Sequence, residues 1–170
     1  MSDNSKHWIN FSIRPLEASD SVWVDEFITD HWGSPLVAVT GRLLQPSHFP
    51  GFIAESGGQP VGLITYRLCQ LECEIISLNS EKPKAGIGTA LIAAVRTLCS
   101  KAGCKRLWLV TTNDNVNAIR FYQNMGFQIT AVHTGAVDQD RTYLKPQIPL
   151  IGEDDVPIHD YFELEMRLIS

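Results

Sequence analysis

Two short stretches of the chain place chemically useful residue types at fixed spacing. The first reads Leu78-Asn79-Ser80-Glu81-Lys82-Pro83-Lys84-Ala85-Gly86-Ile87-Gly88-Thr89. Here an extended run enters a loop with two glycines, and the loop opens a helical pattern. The first turn of a helix has N–H groups without an intrahelical acceptor and lies at the positive end of the helix dipole, so it attracts phosphate. Glycine lets the backbone come close to an anion, and Lys82 and Lys84 add positive charge. The same spacing also serves a tight strand-to-helix turn that binds nothing. A Walker loop, GxxxxGK[ST], is absent. The dinucleotide fingerprint fails because Leu91 stands where its third glycine or alanine belongs. The loop also follows a meander rather than the first strand of a βαβ unit, which argues against a nicotinamide oxidoreductase.

The second stretch is Asn115-Val116-Asn117-Ala118-Ile119-Arg120-Phe121-Tyr122-Gln123-Asn124-Met125-Gly126-Phe127. Ala118, Phe121, Tyr122 and Met125 make one apolar helical face, and Gly126 is placed to stop the helix. Tyr122 is therefore either a packing residue or a phenol whose hydroxyl is available as a proton donor. Upstream, Glu72 and Glu74 alternate onto one face of a strand. Two carboxylates so close repel each other when both are ionised, which favours one of them as a proton acceptor near neutrality. The alternative is that both simply face water. Glu74 is preferred because it directly precedes the apolar run Ile75-Ile76-Ser77-Leu78. Cys73 lies between the two carboxylates, a setting that discourages a thiolate nucleophile.

The elements that must position these residues follow from periodicity. Residues 9–16 alternate, with Ile9, Phe11 and Ile13 on one face, and Pro15 ends the strand. Ser19 and Asp20 are placed to cap a helix over 21–32 whose apolar residues are Val22, Trp23, Phe27 and Ile28. Gly33-Ser34-Pro35 breaks it, and 36–44 is strand-like but interrupted by Gly41. Residues 51–56 and 60–69 read as strands joined by a Gly57-Gly58 hairpin turn. With 72–79 they form an antiparallel meander. Leu91, Ala94, Val95, Leu98 and Ala102 mark the next helix, stopped by Gly103. Residues 106–112 form a nearly continuous apolar run, the pattern of a strand buried on both faces. Asn113-Asp114-Asn115 offers caps for the helix of the second stretch. Residues 127–133 and 161–168 are strands, and 135–160, with Pro146, Pro149 and Pro157, reads as an ordered excursion rather than a linker. Strands in a meander followed by β-α-β-α-β predict a mixed-sheet α/β protein.

Composition narrows the function further. The chain has 170 residues, 44% hydrophobic and 19% charged, which suits one domain and excludes a disordered chain. Fourteen Lys and Arg against nineteen Asp and Glu give a net charge of -5, which argues against a general nucleic-acid surface. No run approaches the roughly 18 apolar residues of a membrane span. Residues 1–7 show no apolar leader core, so the expected location is the cytoplasm. Cys69, Cys73, Cys99 and Cys104 form no CxxC and have no zinc spacing, and are read as reduced thiols.

Taken together, the two motifs resemble the GNAT superfamily of acyl-CoA-dependent N-acetyltransferases. The family's [RQ]xxGxG/A loop and its NxxAxxxYxxxGF helix occur here in the same order and at about the same separation. The family's Arg or Gln falls on Pro83, which has no N–H; Lys82 or Lys84 would substitute. The stretch NDNxNAIRFYQxxGF and the later LKPxIPxIGxxxxPIxDxxELE look like a bacterial GNAT subfamily. The resemblance spans residues 11–168 as one domain, with 1–10 a short extension. It implies an α/β (α+β) fold: a mixed, mostly antiparallel twisted sheet of about seven strands with helices on both faces.

The resemblance also implies a site. Lys82, Lys84, Ala85, Gly86, Ile87, Gly88 and Thr89 would cradle the CoA pyrophosphate. The pantetheine would lie between splayed strands 72–79 and 106–112, pairing with Ile76, Leu78 and Ser80 and touching Asn115 and Ala118. Tyr122 would face the thioester sulfur, and a backbone N–H would polarise the acyl carbonyl. The acceptor site would draw on Trp32, Arg42, His48, His133, Arg141 and His159. The implied activity is direct acetyl transfer from acetyl-CoA to a primary amine of a small molecule or peptide. It needs neither a metal nor a covalent enzyme intermediate, and it is commonly housed in a homodimer. A non-catalytic acyl-CoA-binding regulator on the same fold is the alternative.

Overall fold

The computed structural model describes residues 9–169. The segment 1–7 read for a leader, and most of the 1–10 extension, lie outside the described residues. Strand β1 (Ser12–Pro15) is shorter than the alternation predicts, although Ile9 and Phe11 still pack on the core. Helix α1 (Ser21–Trp32) has the predicted bounds but receives no side-chain cap bond. The Asp20 carboxylate instead pairs with Arg14 and accepts the Glu17 N–H. Residues 36–44 are not one strand. The chain reverses at Thr40-Gly41, and β2 (Val37–Val39) and β3 (Arg42–Leu44) form a separate two-stranded sheet.

The meander is β4 (Gly51–Ser56), β5 (Gln59–Cys69) and β6 (Glu72–Ser80). Helix α2 (Ile87–Ala102) then crosses over to β7 (Arg106–Thr112), which pairs parallel with β6 as a strand-helix-strand unit requires. Helix α3 (Val116–Asn124), β8 (Gln128–His133), helix α4 (Ala136–Tyr143) and β9 (Tyr161–Arg167) complete the order. The main sheet runs β1-β4-β5-β6-β7-β9-β8 and is antiparallel except at β6–β7.

Alternation along the central strands divides the core. Ile53 of β4 and Leu63 of β5 pack with Val24, Phe27 and Ile28 of α1. Their neighbours Ala54 and Ile64 face the other way and pack with α2 and Tyr122 of α3. One helix thus covers one face and two cover the other. The buried stripe of α2 is Ile87, Leu91, Ile92, Val95 and Cys99, rotated from the predicted Leu91–Ala102 stripe. Ala102 is exposed, because the stripe follows the sheet rather than the widest run of apolar residues.

Strand β7 is buried on one face, not two. Leu107 and Leu109 are buried, whereas Arg106 and Trp108 sit on the other, half-open face. Arg106 lies 4.9 Å over the Trp108 ring and bonds Glu163, Glu165 and Glu72. The predicted excursion is ordered and holds α4, whose Val137 packs with Ile158 and Tyr161 as a third apolar cluster.

Candidate active site

The meander and the crossover produce an opening in the sheet. Thr65 pairs with Ser77 and Tyr66 with Ile75, so Ile76 is an extra residue on β6. A bulge of this kind bends the strand that carries it. On its other edge β6 pairs with β7 from Glu72↔Arg106 to Ile75↔Leu109, and the pairing stops there. Beyond it, β7 continues beside β9 from Val110↔Glu163 to Thr112↔Tyr161. Residues 76–80 therefore present a strand edge toward β7 with no partner there among the described residues, an arrangement that accepts an extended ligand.

That edge leads directly into the glycine loop. The Ser80 hydroxyl and the Lys82 N–H lie 3.2 Å apart and brace the turn. Lys82, Pro83 and Lys84 are exposed. Gly86 caps α2 with φ +82°, and a Cβ there would meet nothing within 4 Å. The first helical bond is Ala90 N–H to Gly86 O at 3.0 Å. The N–H groups of Ile87, Gly88 and Thr89 therefore precede any intrahelical bond, and no side chain of the described residues caps them. Gly88 has a different task. A Cβ on it would lie 3.1 Å from Phe121 Cζ, so Gly88 lets α3 pack against the first turn of α2. Gly62, which lies outside both motifs, serves the same corner: a Cβ there would lie 2.6 Å from Ile87 Cγ2. A glycine inside a strand pattern was its signal.

Tyr122 is 7% exposed, with its ring edge-on to Phe121 at 5.3 Å and to Phe127 at 5.5 Å. Its hydroxyl bonds no described residue. Burial raises the phenol above its usual range, so it holds its proton at working pH. Phe121 and Ala118 pack beside it on the core. Asn115 is the N-cap of α3 but makes no cap bond; its Nδ2 donates to Thr111 Oγ1 at 3.2 Å. Asn113, predicted as a possible cap, instead ties the end of β7 to the excursion. It donates to Pro157 O and accepts from the His159 and Asp160 N–H groups.

The two glutamates do not act on each other as their spacing predicts. Glu74 is 3% exposed, and both its oxygens are taken. Arg42 grips it at 2.6 and 3.0 Å, and Arg67 bonds it at 2.6 Å. Glu72 faces Arg106 at 3.3 Å at the start of β6, four residues before the bulge. Nearby arginines compensate the like-charge pair, and a proton acceptor at Glu74 would have to give up an ion pair first. Cys73 is fully buried and free, and its hydrogen bond with the Cys99 thiol together with burial raises its own thiol.

The acceptor candidates divide. Trp32 Nε1 donates to Asn79 Oδ1 at 3.1 Å, joining the end of α1 to the free edge of β6. Arg42 joins β3 to β6 through Glu74. Arg141 and His159 meet on Asp138, and Arg141 also holds the carbonyls of Ile148, Pro149 and Ile158. His133 lies apart on β8, 3.2 Å from Glu163, and His48 is exposed in the turn Pro46–His48. Three residues that belong to neither motif fasten the excursion over the α1–β3 segment. Asp140 accepts from the Gly41 N–H and the Tyr161 hydroxyl, Tyr161 donates also to Ala38 O, and Lys145 donates to Trp32 O and Leu36 O. Burial lowers the Lys145 ammonium from its usual range. No periodicity marks polar residues that bridge loops so far apart in sequence.

Comparison with known proteins adds an independent finding. Residues 14–127 match the model of the acetyltransferase (GNAT) family. The uncharacterized protein YdhI of Bacillus subtilis (strain 168) is 43% identical over 136 residues, 79% of this chain and 84% of its own. The L-ornithine N5-acetyltransferase NATA1 of Arabidopsis thaliana is 29% identical over 115 residues, 68% of this chain and 42% of its own. A Bacillus subtilis acetyltransferase solved in complex with CoA has a TM-score of 0.66 at 18% identity, covering 94% of this chain and 100% of its own. At that identity the likeness is one of fold.

Proposed function

We propose that this chain, which belongs to the acetyltransferase (GNAT) family, moves an acetyl group from acetyl-CoA to a primary amine of a small molecule or peptide by direct transfer, with residues 11–168 acting as one catalytic domain. The observation that carries this reading is the unpaired β6 edge that runs directly into the uncapped start of α2, with buried Tyr122 and its unpartnered hydroxyl on α3, the helix packed against that turn. Acetyl-CoA supplies an activated thioester.

The chain's residues would do the rest. The backbone at Ile76, Leu78 and Ser80 would hold the pantetheine by strand-like bonds. Asn115 and Ala118 would flank it. The N–H groups of Ile87, Gly88 and Thr89, with Ala85, Gly86, Lys82 and Lys84, would hold the pyrophosphate. The fit rests on Gly86, whose left-handed conformation turns the backbone with open space beside it. Pro83 contributes no N–H, and the two flanking lysines supply charge in its place. Tyr122 would give its proton to the departing sulfur. The second amine proton, acidic once the C–N bond forms, would restore the phenol. Glu74 would hold Arg42 and Arg67 in place beside the cleft rather than accept a proton.

The test is thiol release from acetyl-CoA with n-butylamine, L-ornithine, L-lysine, spermidine and a peptide with a free N-terminus, each product checked by mass spectrometry. The reading requires amine-dependent thiol release with an acetylated product. A protein that binds acetyl-CoA but acetylates none of these amines would be an acyl-CoA binder instead.

A further inference from the structure

We propose that His159, oriented by Asp138, takes the proton from the acceptor ammonium; this rests on the acetyl-transfer reading above. A primary alkylamine is protonated at neutral pH and has no lone pair to attack with. Glu74 is poorly placed to remove that proton, because both its oxygens are engaged by guanidiniums.

His159 has the missing properties. Its Nδ1 lies 2.8 and 3.0 Å from the two Asp138 oxygens. An ionised carboxylate only accepts, so Nδ1 carries the hydrogen and neutral His159 keeps its lone pair on Nε2. Nε2 has no partner among the described residues, and the side chain is 54% exposed. The backbone is pinned on both sides: the His159 N–H donates to Asn113 Oδ1 at 3.0 Å, and its carbonyl accepts from the Val137 N–H at 3.0 Å. Asn113 directly follows β7, three residues beyond Val110, where β7 has already left β6. The His159 backbone is therefore tied to the turn that follows β7, the strand that borders the cleft, on the excursion that closes over α1 and β3.

Asp138 is itself fixed. Arg141 holds it at 2.5 Å while bonding three carbonyls of the excursion. Among the described residues, the charged groups linked to the ring are Asp138 and, through it, Arg141, both from α4. Along the chain, Asp160 bonds the Gly135 N–H. The turn after β7 brings neutral Asn113, and Asp114, which accepts from Thr112. The His159 and Arg141 bonds hold the Asp138 carboxyl below its ordinary range, so it stays ionised and faces the imidazolium as that forms.

The step balances. One N–H bond of the ammonium breaks, its electron pair stays on nitrogen as the attacking lone pair, and the proton moves to Nε2. The imidazolium then returns that proton to water.

The experiment uses the panel amine that the wild-type protein acetylates fastest and follows kcat/KM from pH 5.5 to about 10 in wild type, His159→Gln and Asp138→Asn, with His159→Ala assayed with and without added imidazole. The wild-type kcat/KM should rise with pH and level off well below the amine's own pKa. His159→Gln should lose that plateau and fall about 10²–10⁴-fold at neutral pH, with the loss shrinking toward the amine's own pKa. Asp138→Asn should keep that rise but reach a lower plateau, because the carboxylate that orients the ring and faces the imidazolium is gone. Imidazole should restore part of the His159→Ala rate. An equal loss at every pH, a plateau that survives in His159→Gln, or no imidazole rescue overturns the proposal while leaving acetyl transfer intact. A wild-type protein that acetylates no panel amine removes the parent reading and this proposal with it.

Discussion

Replacing Tyr122 by Phe separates packing from chemistry, because the structure assigns the ring and the hydroxyl to different surroundings. The ring is buried and touches Phe121 and Phe127, and all of that remains in the variant. The hydroxyl bonds no described residue, so the roughly 0.5–1.5 kcal/mol of an ordinary hydrogen bond is not lost. Stability should change by less than about 1 kcal/mol, which in a chain of this size moves Tm by at most about 2–4 °C. CoA affinity should stay near that of the wild type, since the β6 edge and the α2 turn are untouched. The rate of the chemical step should fall about 10²–10⁴-fold, the cost of removing a positioned acid, or about 2.7–5.4 kcal/mol in barrier. Single-turnover mixing at saturating acetyl-CoA isolates that step from product release. A variant that keeps more than about half the wild-type rate, with chemistry limiting, would make Tyr122 a packing residue.

Three further outcomes follow from the same geometry. Glu74→Gln leaves Arg42 and Arg67 without their shared anion and should cost about 1–3 kcal/mol in denaturant titration, less than a fully buried pair because both guanidiniums are partly exposed. Its activity should fall by the same factor at every pH; a loss confined to low pH would return the base role to Glu74. Gly86→Ala forces a side chain onto φ +82°, a strain of about 1–2 kcal/mol, and should weaken CoA binding measured calorimetrically, while unchanged affinity would separate the loop from the pyrophosphate. Burial raises the phenols of Tyr161 and Tyr122, so the unfolded chain ionises first as pH rises. Their contribution is complete below about pH 10 and is lost above it, so Tm should drop there and drop less steeply in Tyr161→Phe. An equal slope in the variant would contradict the assignment.

The sequence carried the local information well. The α1 bounds, the Gly57-Gly58 hairpin and β7 follow from periodicity and turn chemistry, because short-range patterns determine those features. Strand 36–44 failed where Thr40-Gly41 turns the chain, since a hairpin between three-residue strands leaves little alternation to detect. The α2 stripe failed because Ala94, Leu98 and Ala102 satisfy helical spacing as well as Ile92 and Cys99 do, and the position of the sheet chooses between them. At the site, the glycine loop and Tyr122 were legible as motifs. The partners of Glu74 were not, because Arg42 and Arg67 arrive from two other strands. Lys145 and Asp140 lie about a hundred residues from the backbone they hold, beyond the reach of any spacing rule.

The most direct test of acetyl-CoA binding in the β6 cleft is amide hydrogen exchange with and without acetyl-CoA. The account predicts slowed exchange at Ile76, Leu78 and Ser80 and at Ile87, Gly88 and Thr89, with β1 and β4 unchanged. Saturable binding that leaves these six amides exchanging as in the free protein would contradict it.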